Sequence, residues 1–478
     1  MTVRTRLAPS PTGKMHIGSI AMALKNYAFA KKHQGQFVLR IEDTDKEREI
    51  EHGVKEIIKA LEAYEIEWDE GPKKGGPYGP YIQSQRLKIY QEYAQKLIDK
   101  GLAYYCFATK EELEEMRQKA LEKGLPPRYD GRYRDYPLAK AKARIAAGES
   151  YVIRLKVPQD QEIVFYDLIR GEIKFNSNEV SDQVLIKSDG YPTYHLAVVV
   201  DDYLMKITHV MRGEEWISST PKHVLLYQAF GWPMPTWVHI PVFLNPNGKG
   251  KMSKRKGDVA ALRFLEKGYL REAVLNFLMI LGWTPKDQRE ILSLDEYIKE
   301  FDPKDLSHNS VAFDLKKLDW LNGIYIRRLS DAQLKQRLKP FIPAGFPQEK
   351  LDQVIPLIKE RLVTLTDFDK LTYFFWQEVK PETKQLLKKA TPELVSQQLE
   401  ETISALNQLA SFDHKSIETA IRHLQEKHQW HKRQYFMMLR LAVTGEKATP
   451  PLFETMSVIG QEKVIQRLNH AKVLVTQT

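Results

Sequence analysis

Hydrophobic and polar positions along the first forty residues follow a strand, loop, helix, strand order. Residues 3–8 alternate as in a strand, and residues 9–19, rich in proline and glycine, predict a loop. Apolar residues then recur at helical spacing at Ile20, Leu24, Tyr27 and Ala28. Gly35 is a helix stop, and residues 37–41 form a short apolar strand. This order predicts a βαβ unit whose first loop lies at the carboxyl edge of a parallel sheet, where α/β proteins bind ligands.

The pattern changes between about residues 105 and 190. A charged helix ("TKEELEEMRQKALEKG") precedes a loop rich in tyrosine and arginine ("PPRYDGRYRDYP") and several short strand-like segments. We interpret this region as an insertion, because an apolar α/β pattern returns after it in "YHLAVVVDD" and "ITHVMRGEEW". Thr220 and Pro221 then predict the N-cap and first residue of a helix that stops at Gly231.

From about residue 330 the chain predicts helices without clear strands. Three apolar stripes have helical spacing and are typical of core packing. The first consists of Leu351, Val354, Ile355, Ile358, Leu362 and Leu365, although Pro356 disfavours helix in its first turn. The second, behind a Thr391–Pro392 start signal, consists of Val395, Leu399, Ile403 and Leu406. The third consists of Ile417, Ala420, Ile421 and Leu424.

Composition narrows the class of protein. A chain of 478 residues predicts two to four domains, and it has no apolar stretch long enough to span a bilayer. The N-terminal residues begin a strand pattern rather than a signal peptide. The single cysteine, Cys106, excludes a disulfide framework and a cysteine-rich metal site, so we expect a cytoplasmic protein. The net charge of +10 is compatible with a polyanionic partner but does not require one.

The loop "PSPTGKMHIGS" matches neither the GxxxxGK[ST] nor the GxGxxG nucleotide signature. A helix N-terminus offers free backbone N–H groups and a partial positive charge, so it attracts phosphate. Gly18 would let a flat base or ribose approach the backbone, and His16 could donate to a phosphate oxygen. The alternative is a proline- and glycine-rich loop with an incidental surface histidine, and the loop alone leaves both open.

A second segment, "NPNGKGKMSKRKGDV" at residues 245–259, combines three glycines with clustered cations. The cations are Lys249, Lys251, Lys254, Arg255 and Lys256. Such a loop can close over a polyphosphate and neutralise charge that builds up during transfer. A solvated basic loop is the alternative interpretation.

Together, "HIGS" and "KMSKR" resemble the two signatures of class I aminoacyl-tRNA synthetases, usually written HIGH and KMSKS. Flanking segments such as "RLAPSPTG", "RIEDTD", "YDGRYR", "SDGYPTYHLAVVVDD" and "RGEEWISSTPKHVLLYQAFGW" are similar to bacterial-type glutamyl-tRNA synthetases. The resemblance runs nearly end to end and weakens after about residue 330. Ser19 stands where the signature has histidine; small hydroxyl residues occur there in the family, so we expect an active enzyme.

The resemblance implies an α/β fold with a Rossmann-type catalytic domain and an all-α C-terminal region. The implied parts are a catalytic first half at 1–104, an α+β acceptor-stem-binding insertion at 105–190, a catalytic second half at 191–245, a stem-contact region with the KMSKR loop at 246–329, and a helical anticodon-binding region at 330–478.

The implied reaction is that of a glutamate–tRNA ligase, in which ATP and glutamate form glutamyl-adenylate and the glutamyl group passes to the 3′ end of tRNA. His16 and Lys254 would be the catalytic residues, and magnesium would accompany ATP. The implied ATP contacts are His16, Gly18, Ser19, Lys251, Ser253, Lys254 and Arg255. The implied glutamate pocket is Arg6, Ala8, Ser10, Glu42, Tyr194 and Arg212. Arg361 is a candidate anticodon contact.

Some relatives hold zinc in the insertion with three cysteines and a histidine. The matching positions here are Cys106, Ala108, Tyr133 and Asp135. Alanine and tyrosine are not usual zinc ligands, so we expect no zinc and no protein-held metal.

The expected partners are tRNA(Glu), glutamate and ATP, with tRNA(Gln) left open as a second substrate. We expect a monomer without membrane association. Three rivals remain: a shortened paralogue that glutamylates a modified tRNA base, a glutaminyl enzyme with a β-barrel C-terminal part, and a catalytically inactive tRNA-binding protein.

Overall fold

The computed structural model describes residues 2–45, 50–124, 126–252, 259–388 and 390–477, and the chain packs into two units. Unit 1 comprises Met1–Arg263 and Leu275–Leu315, and unit 2 comprises Phe264–Val274 and Lys316–Thr478. Residues between Lys316 and the predicted boundary at 330 thus pack with the helices that follow them. The five functional regions proposed from the sequence remain a prediction about their roles.

A parallel sheet organises unit 1. The strands are β1 (Arg4–Leu7), β2 (Gln36–Leu39), β3 (Ala103–Cys106), β4 (Val152–Leu155), β5 (Glu162–Asp167), β6 (Gly171–Asn176), β7 (Val184–Ile186), β8 (His209–Gly213), β9 (Thr236–Ile240), β10 (Phe243–Leu244) and β11 (Val311–Ala312). Parallel pairs join β1 to β2, β5 to β9 and β8 to β9. A backbone bond from Thr208 N to Arg4 O, 3.0 Å long, places the start of β8 beside β1. The carboxyl ends of β1, β2 and β8 therefore lie at one edge.

The predicted insertion contains its own antiparallel sheet of β3, β4 and β7. Its β5–β6 hairpin joins the main sheet instead, because Asp167 at the end of β5 pairs with Trp237 of β9. Part of the segment interpreted as an insertion thus belongs to the sheet that carries the site.

Helices cover the sheet of unit 1 and make up unit 2. Those beginning before residue 316 are α1 (Ile17–Lys32), α2 (Gly53–Ala63), α3 (Leu87–Asp99), α4 (Lys110–Glu122), α5 (Leu138–Ala146), α6 (Tyr194–Leu204), α7 (Thr220–Phe230), α8 (Ala261–Glu266), α9 (Arg271–Ile280), α10 (Leu294–Glu300) and α11 (Leu315–Arg328). Those beginning later are α12 (Asp331–Leu338), α13 (Leu351–Ile358), α14 (Asp367–Thr372), α15 (Thr383–Leu386), α16 (Pro392–Asn407), α17 (His414–Lys427), α18 (Lys432–Thr444), α19 (Leu452–Ile459) and α20 (Gln461–Thr476).

Two helix starts differ from the sequence prediction. Helix α1 begins at Ile17, so Gly18 and Ser19 lie in its first turn and not in the loop. Thr220 is inside α7 and Ser219 precedes it, so Thr220 is not the N-cap. The Thr220 hydroxyl instead donates to Trp216 O, 2.9 Å away, one turn earlier. The predicted stop at Gly231 is confirmed, since Gly231 takes a left-handed conformation with φ of 73°.

Unit 2 has one hydrophobic core shared by its helices. The described residues after Ala312 contain no strand, in agreement with the sequence prediction. The first apolar stripe is buried throughout, although α13 ends at Ile358 and a 3-10 turn follows it. In the other two stripes Ile403 and Ala420 are only half-buried. Thr391 caps α16 as predicted, accepting from Leu394 N at 3.3 Å.

Candidate functional site: a carboxylate pocket beside a paired signature loop

His16 sits at the N-terminal cap of α1. Its Nδ1 accepts a hydrogen bond of 2.9 Å from Gly18 N, so a neutral His16 carries its proton on Nε2 and can donate from there. Gly18 favours this cap, since a Cβ there would lie only 3.0 Å from His16 Nδ1 and would crowd the ring. The space beside Gly18 therefore holds the histidine ring of the signature itself.

The expectation of free N–H groups at this helix end is wrong. Ile17 N donates to Val259 O at 2.9 Å, Gly18 N donates to His16 Nδ1, and Ser19 N donates to His16 O at 2.8 Å. The helix dipole still favours an anion there, but phosphate cannot take these three donors without displacing a partner. His16 is thus the group of this loop best suited to approach a phosphate.

The two signature segments are joined through backbone hydrogen bonds. Beyond the second signature, Ala261 N donates to Met15 O at 2.8 Å, next to the bond from Ile17 to Val259. At the start of that signature, Met252 N donates to Phe243 O at 2.8 Å. Both ends of the basic loop are thereby anchored, one of them directly on the first signature.

Part of the second signature falls outside the described residues. Ser253, Lys254 and Arg255, assigned to ATP from the sequence, lie there. Lys251 is described, and its Nζ lies 2.9 Å from Glu215 Oε1 in a solvent-exposed ion pair. Such a pair is weak, so Lys251 can exchange its partner for a phosphate at small cost.

The predicted pocket residues converge at the carboxyl edge of the sheet. Half-buried Ala8 and exposed Ser10 follow β1, and Glu42 follows β2. Glu42 N donates to Pro9 O at 3.1 Å, which joins these two segments. Tyr194 opens α6, and its hydroxyl lies 3.5 Å from Nη1 of Arg212 on β8.

Arg6 and Glu42 belong to a buried ionic network that the sequence did not reveal. Arg6 Nε lies 3.2 Å from Asp202 Oδ1, and Arg40 binds the same carboxylate at 2.7 Å and Glu42 Oε1 at 3.0 Å. Burial raises the pKa of Glu42, against the lowering effect of Arg40. Burial likewise acts to raise the pKa of Asp202, but Arg6 and Arg40 outweigh it and hold that pKa below its usual value.

Arg212 differs from Arg6 and Arg40, the pocket arginines that bind carboxylates, because its described hydrogen-bond partners are all neutral groups. It is 6% exposed. Its partners are His239 Nε2 at 3.1 Å, His223 Nδ1 at 3.1 Å, Thr220 Oγ1 at 2.7 Å and Tyr194 Oη at 3.5 Å. Burial lowers the pKa of Arg212, as expected when a cation lacks a close anion. An uncompensated buried guanidinium suits a ligand carboxylate, which it can bind through two parallel bonds.

The sequence interpretation missed the residues that hold this pocket. They are Arg40, Asp201, Asp202, Thr220, His223 and His239. One signal was visible: Asp201 and Asp202 end the "VVVDD" segment, and two acids directly after buried valines require cationic partners. The histidines carry no local signal, because their partners come from other strands and helices.

Three of the four positions that match the zinc ligands of some relatives make other contacts in this structure. Cys106 is buried, and its thiol lies 3.2 Å from the Tyr129 hydroxyl, while Asp135 pairs with Lys156 at 2.8 Å. Tyr133 packs on Phe107, their ring centroids 5.7 Å apart. Within the described ranges no cluster of three or more histidine, cysteine, aspartate or glutamate side chains could hold a metal ion.

Arg361 lies in unit 2, at the end of a 3-10 turn after α13. Its side chain is exposed, and it acts electrostatically on half-buried Arg440, whose pKa is lowered by burial and by Arg361. Two neighbouring cations make an electropositive spot suited to nucleic acid.

Across the described ranges, no helix combines the length and the apolar character needed to cross a membrane.

Comparison with known proteins defines the class first. Residues 2–320 match the family described as class I tRNA synthetases (E and Q), catalytic domain, and residues 333–472 match an anticodon binding domain. A parallel sheet with the first signature after β1, bonded to the chain that follows the second signature, agrees with that class. ATP is a substrate of this class.

Similar proteins narrow this to one family. A glutamate–tRNA ligase of Finegoldia magna is 42% identical, over 98% of this chain and 99% of that protein, and one of Chloroflexus aurantiacus is 44% identical, over 98% and 96%. The crystal structure of a glutamate tRNA ligase from Elizabethkingia meningosepticum, in complex with its amino acid, is 38% identical and superimposes with a TM-score of 0.90 over 99% of both chains. The chain belongs to the glutamate–tRNA ligase family.

Proposed function

We propose that this chain activates glutamate with ATP and transfers the glutamyl group to the 3′ end of tRNA(Glu). The observation that carries the proposal is Arg212, a buried guanidinium with neutral described partners, near the carboxyl end of β8 in the sheet whose first strand leads into the first signature. A side-chain carboxylate is the ligand that this charge lacks.

In the first step, a glutamate α-carboxylate oxygen forms a bond to the α-phosphorus of ATP, and the bond from that phosphorus to pyrophosphate breaks. Negative charge grows on the phosphoryl oxygens, where His16 Nε2–H and the Lys254 ammonium would stabilise it. In the second step the glutamyl carbonyl bonds to the terminal ribose of tRNA and AMP leaves.

The pocket divides the substrate among complementary groups. Arg212 binds the side-chain carboxylate and Tyr194 gives it a directed hydrogen bond, while Glu42 faces the ammonium group. Arg6 adds positive charge, and Ala8 and Ser10 line the opening after β1. Magnesium would accompany ATP and would be held mainly by phosphates and water.

An ATP–pyrophosphate exchange assay tests the proposal. With glutamate and tRNA present, the full-length chain should exchange label between pyrophosphate and ATP. The assay is run with and without tRNA, because the synthetases that this chain resembles generally need tRNA for activation. Exchange with glutamine but not with glutamate would favour the glutaminyl alternative. That alternative expects a β-barrel C-terminal part, whereas the described residues after 312 contain no strand.

Unit 2 would read the anticodon of tRNA(Glu), with tRNA(Gln) as the candidate second substrate. The match of residues 333–472 to an anticodon binding domain favours the ligase over the shortened paralogue. We further propose that the protein is a monomer and acts in the cytoplasm. Its net charge of +10 favours binding to tRNA, which is a polyanion.

Replacing Arg361 with glutamine should relax anticodon discrimination. An arginine that contacts a base contributes about 1–3 kcal/mol, so charging of wild-type tRNA should fall by about fivefold to 10²-fold and approach that of an anticodon-swapped tRNA. Aminoacylation kinetics with both tRNAs measure this. Arg422→Gln is the matched control, because Arg422 already pairs with Glu418 on its own helix at 2.6 Å. Equal loss in both variants would contradict an anticodon role for Arg361.

That test requires the full chain. Truncation near residue 330 would expose Ile326, which belongs to the same buried core as Leu334 and Ile358. It would also remove Val363 O, which accepts a hydrogen bond from the Asn322 side chain. A shortened protein would therefore confound anticodon reading with loss of packing.

Purified, untagged protein should contain no stoichiometric zinc. Cys106 contacts Tyr129, and the insertion loop is packed instead by Arg144, whose guanidinium lies 4.1 Å from the Phe107 ring centroid. Elemental analysis checks this, and a zinc-selective chelator should leave magnesium-supported activity unchanged. One tightly held zinc per chain would contradict the prediction.

A further inference from the structure

Two histidines contact the guanidinium of Arg212, and a third histidine extends the chain of hydrogen bonds. Arg212 and His239 are cross-strand partners on β8 and β9, and Arg212 Nε donates to His239 Nε2. On the other side, Arg212 Nη1 contacts His223 Nδ1, and His223 Nε2 lies 3.0 Å from His195 Nδ1.

Arginine fixes the protons on these rings. A guanidinium only donates hydrogen bonds, so His239 Nε2 and His223 Nδ1, which face it, must be bare acceptors. His239 then carries its proton on Nδ1, which donates to Asp167 Oδ2 at 2.8 Å. His223 carries its proton on Nε2 and donates to His195 Nδ1. Burial, with Arg212 adding to it, lowers the pKa of His239 and of His223, in agreement with neutral rings.

Backbone N–H groups hold the carboxylate of Asp167 in place. It accepts backbone bonds from Ile169 N and Arg170 N, both 3.0 Å, and from His239 N at 2.9 Å. Its charge therefore orients His239 but stays one ring away from Arg212. A carboxylate bonded directly to Arg212 would instead neutralise the guanidinium.

We propose that His239 and His223 are specificity-determining positioning residues, which hold Arg212 through neutral acceptors and thereby keep its positive charge available to distinguish glutamate from glutamine. This inference rests on the proposed function. Glutamine has nearly the shape of glutamate but no side-chain charge, so only an uncompensated cation separates the two strongly. Neutral imidazoles orient the guanidinium without supplying a competing anion.

Two substitutions at residue 223 that have the same shape, His223→Asn and His223→Asp, test this inference. In His223→Asn the amide oxygen can accept from Arg212 as Nδ1 does, and in His223→Asp a carboxylate of the same size takes its place. Both variants lose the bond from His223 Nε2 to His195, so they differ in the carboxylate charge and in the amide NH₂ donor that only asparagine has. The measurement is kcat/KM for glutamate and for glutamine in tRNA-dependent pyrophosphate exchange by the full chain, with glutamine as a competitive inhibitor where its turnover is too slow.

The aspartate variant should lose about tenfold or more of the preference for glutamate over glutamine relative to the asparagine variant, mainly through KM for glutamate. A merely structural role would weaken both amino acids equally, and equal preference in the two variants would overturn the inference. If wild-type enzyme activates neither amino acid, the proposed function fails instead.

A second pair, His239→Gln and His239→Glu, repeats the comparison from β9. Thermal unfolding checks that each variant is folded. If an acidic variant at one position does not fold, the pair at the other position decides. If both acidic variants unfold, the amide variants decide: retained preference supports the inference, and loss of preference in a folded amide variant overturns it.

Discussion

Replacing Arg212 with alanine should lower kcat/KM for glutamate by about 10²–10³-fold or more. The substrate carboxylate would enter a buried site without its cationic partner, and an uncompensated buried charge costs about 3–5 kcal/mol. The loss should fall mainly on KM, because Arg212 contacts the side chain and not the reacting phosphate. Pyrophosphate exchange over a range of glutamate concentrations measures both constants.

Arg212→Lys is the matched variant for this test. Lysine keeps the positive charge, but its three N–H donors cannot satisfy His239, His223 and Thr220 and also bind the substrate carboxylate, so it should recover only part of the loss. Unchanged KM and kcat in the alanine variant would contradict the role of Arg212 in binding the carboxylate.

Replacing Lys254 with alanine should lower kcat for activation by about 10²-fold or more, with little change in KM for glutamate. Its ammonium would stabilise charge that appears on the phosphoryl oxygens only in the transition state, and one such donor contributes about that much. Lys256→Ala is the control, because it removes a charge from the same basic loop at a position without an assigned role. Near-normal exchange kinetics in Lys254→Ala would overturn the assignment.

The sequence predicted the parts of the fold that local patterns control. Residues close in the chain determine the strand and loop before His16 and the end of α7 at Gly231. Helical spacing of apolar residues determines the C-terminal stripes. Helix starts depend also on tertiary partners. Thr220 has the residue type of an N-cap, but its hydroxyl binds Trp216 O and accepts from Arg212, because a tertiary partner was available. The first helix began earlier because His16 itself caps it.

The site was predictable only in outline. The two signature strings and the resemblance they carry pointed to the pocket, whereas Arg6 by its position on an early strand would pass for a surface arginine. Its burial against Asp202 depends on a residue 196 positions away. The chain from Asp167 through His239 to Arg212 likewise joins three strands through β-sheet pairing, which a single sequence does not display.

Aminoacylation of tRNA(Glu) by the full-length chain tests the central claim most directly. With ATP, magnesium and labelled glutamate, we expect label to accumulate on the 3′ end of tRNA(Glu). Much less label should accumulate when labelled glutamine replaces glutamate, or when the Arg212→Ala variant replaces the wild-type protein. Binding of tRNA without any charging, by wild-type protein that is folded and supplied with both substrates, would contradict the account and favour an inactive tRNA-binding protein.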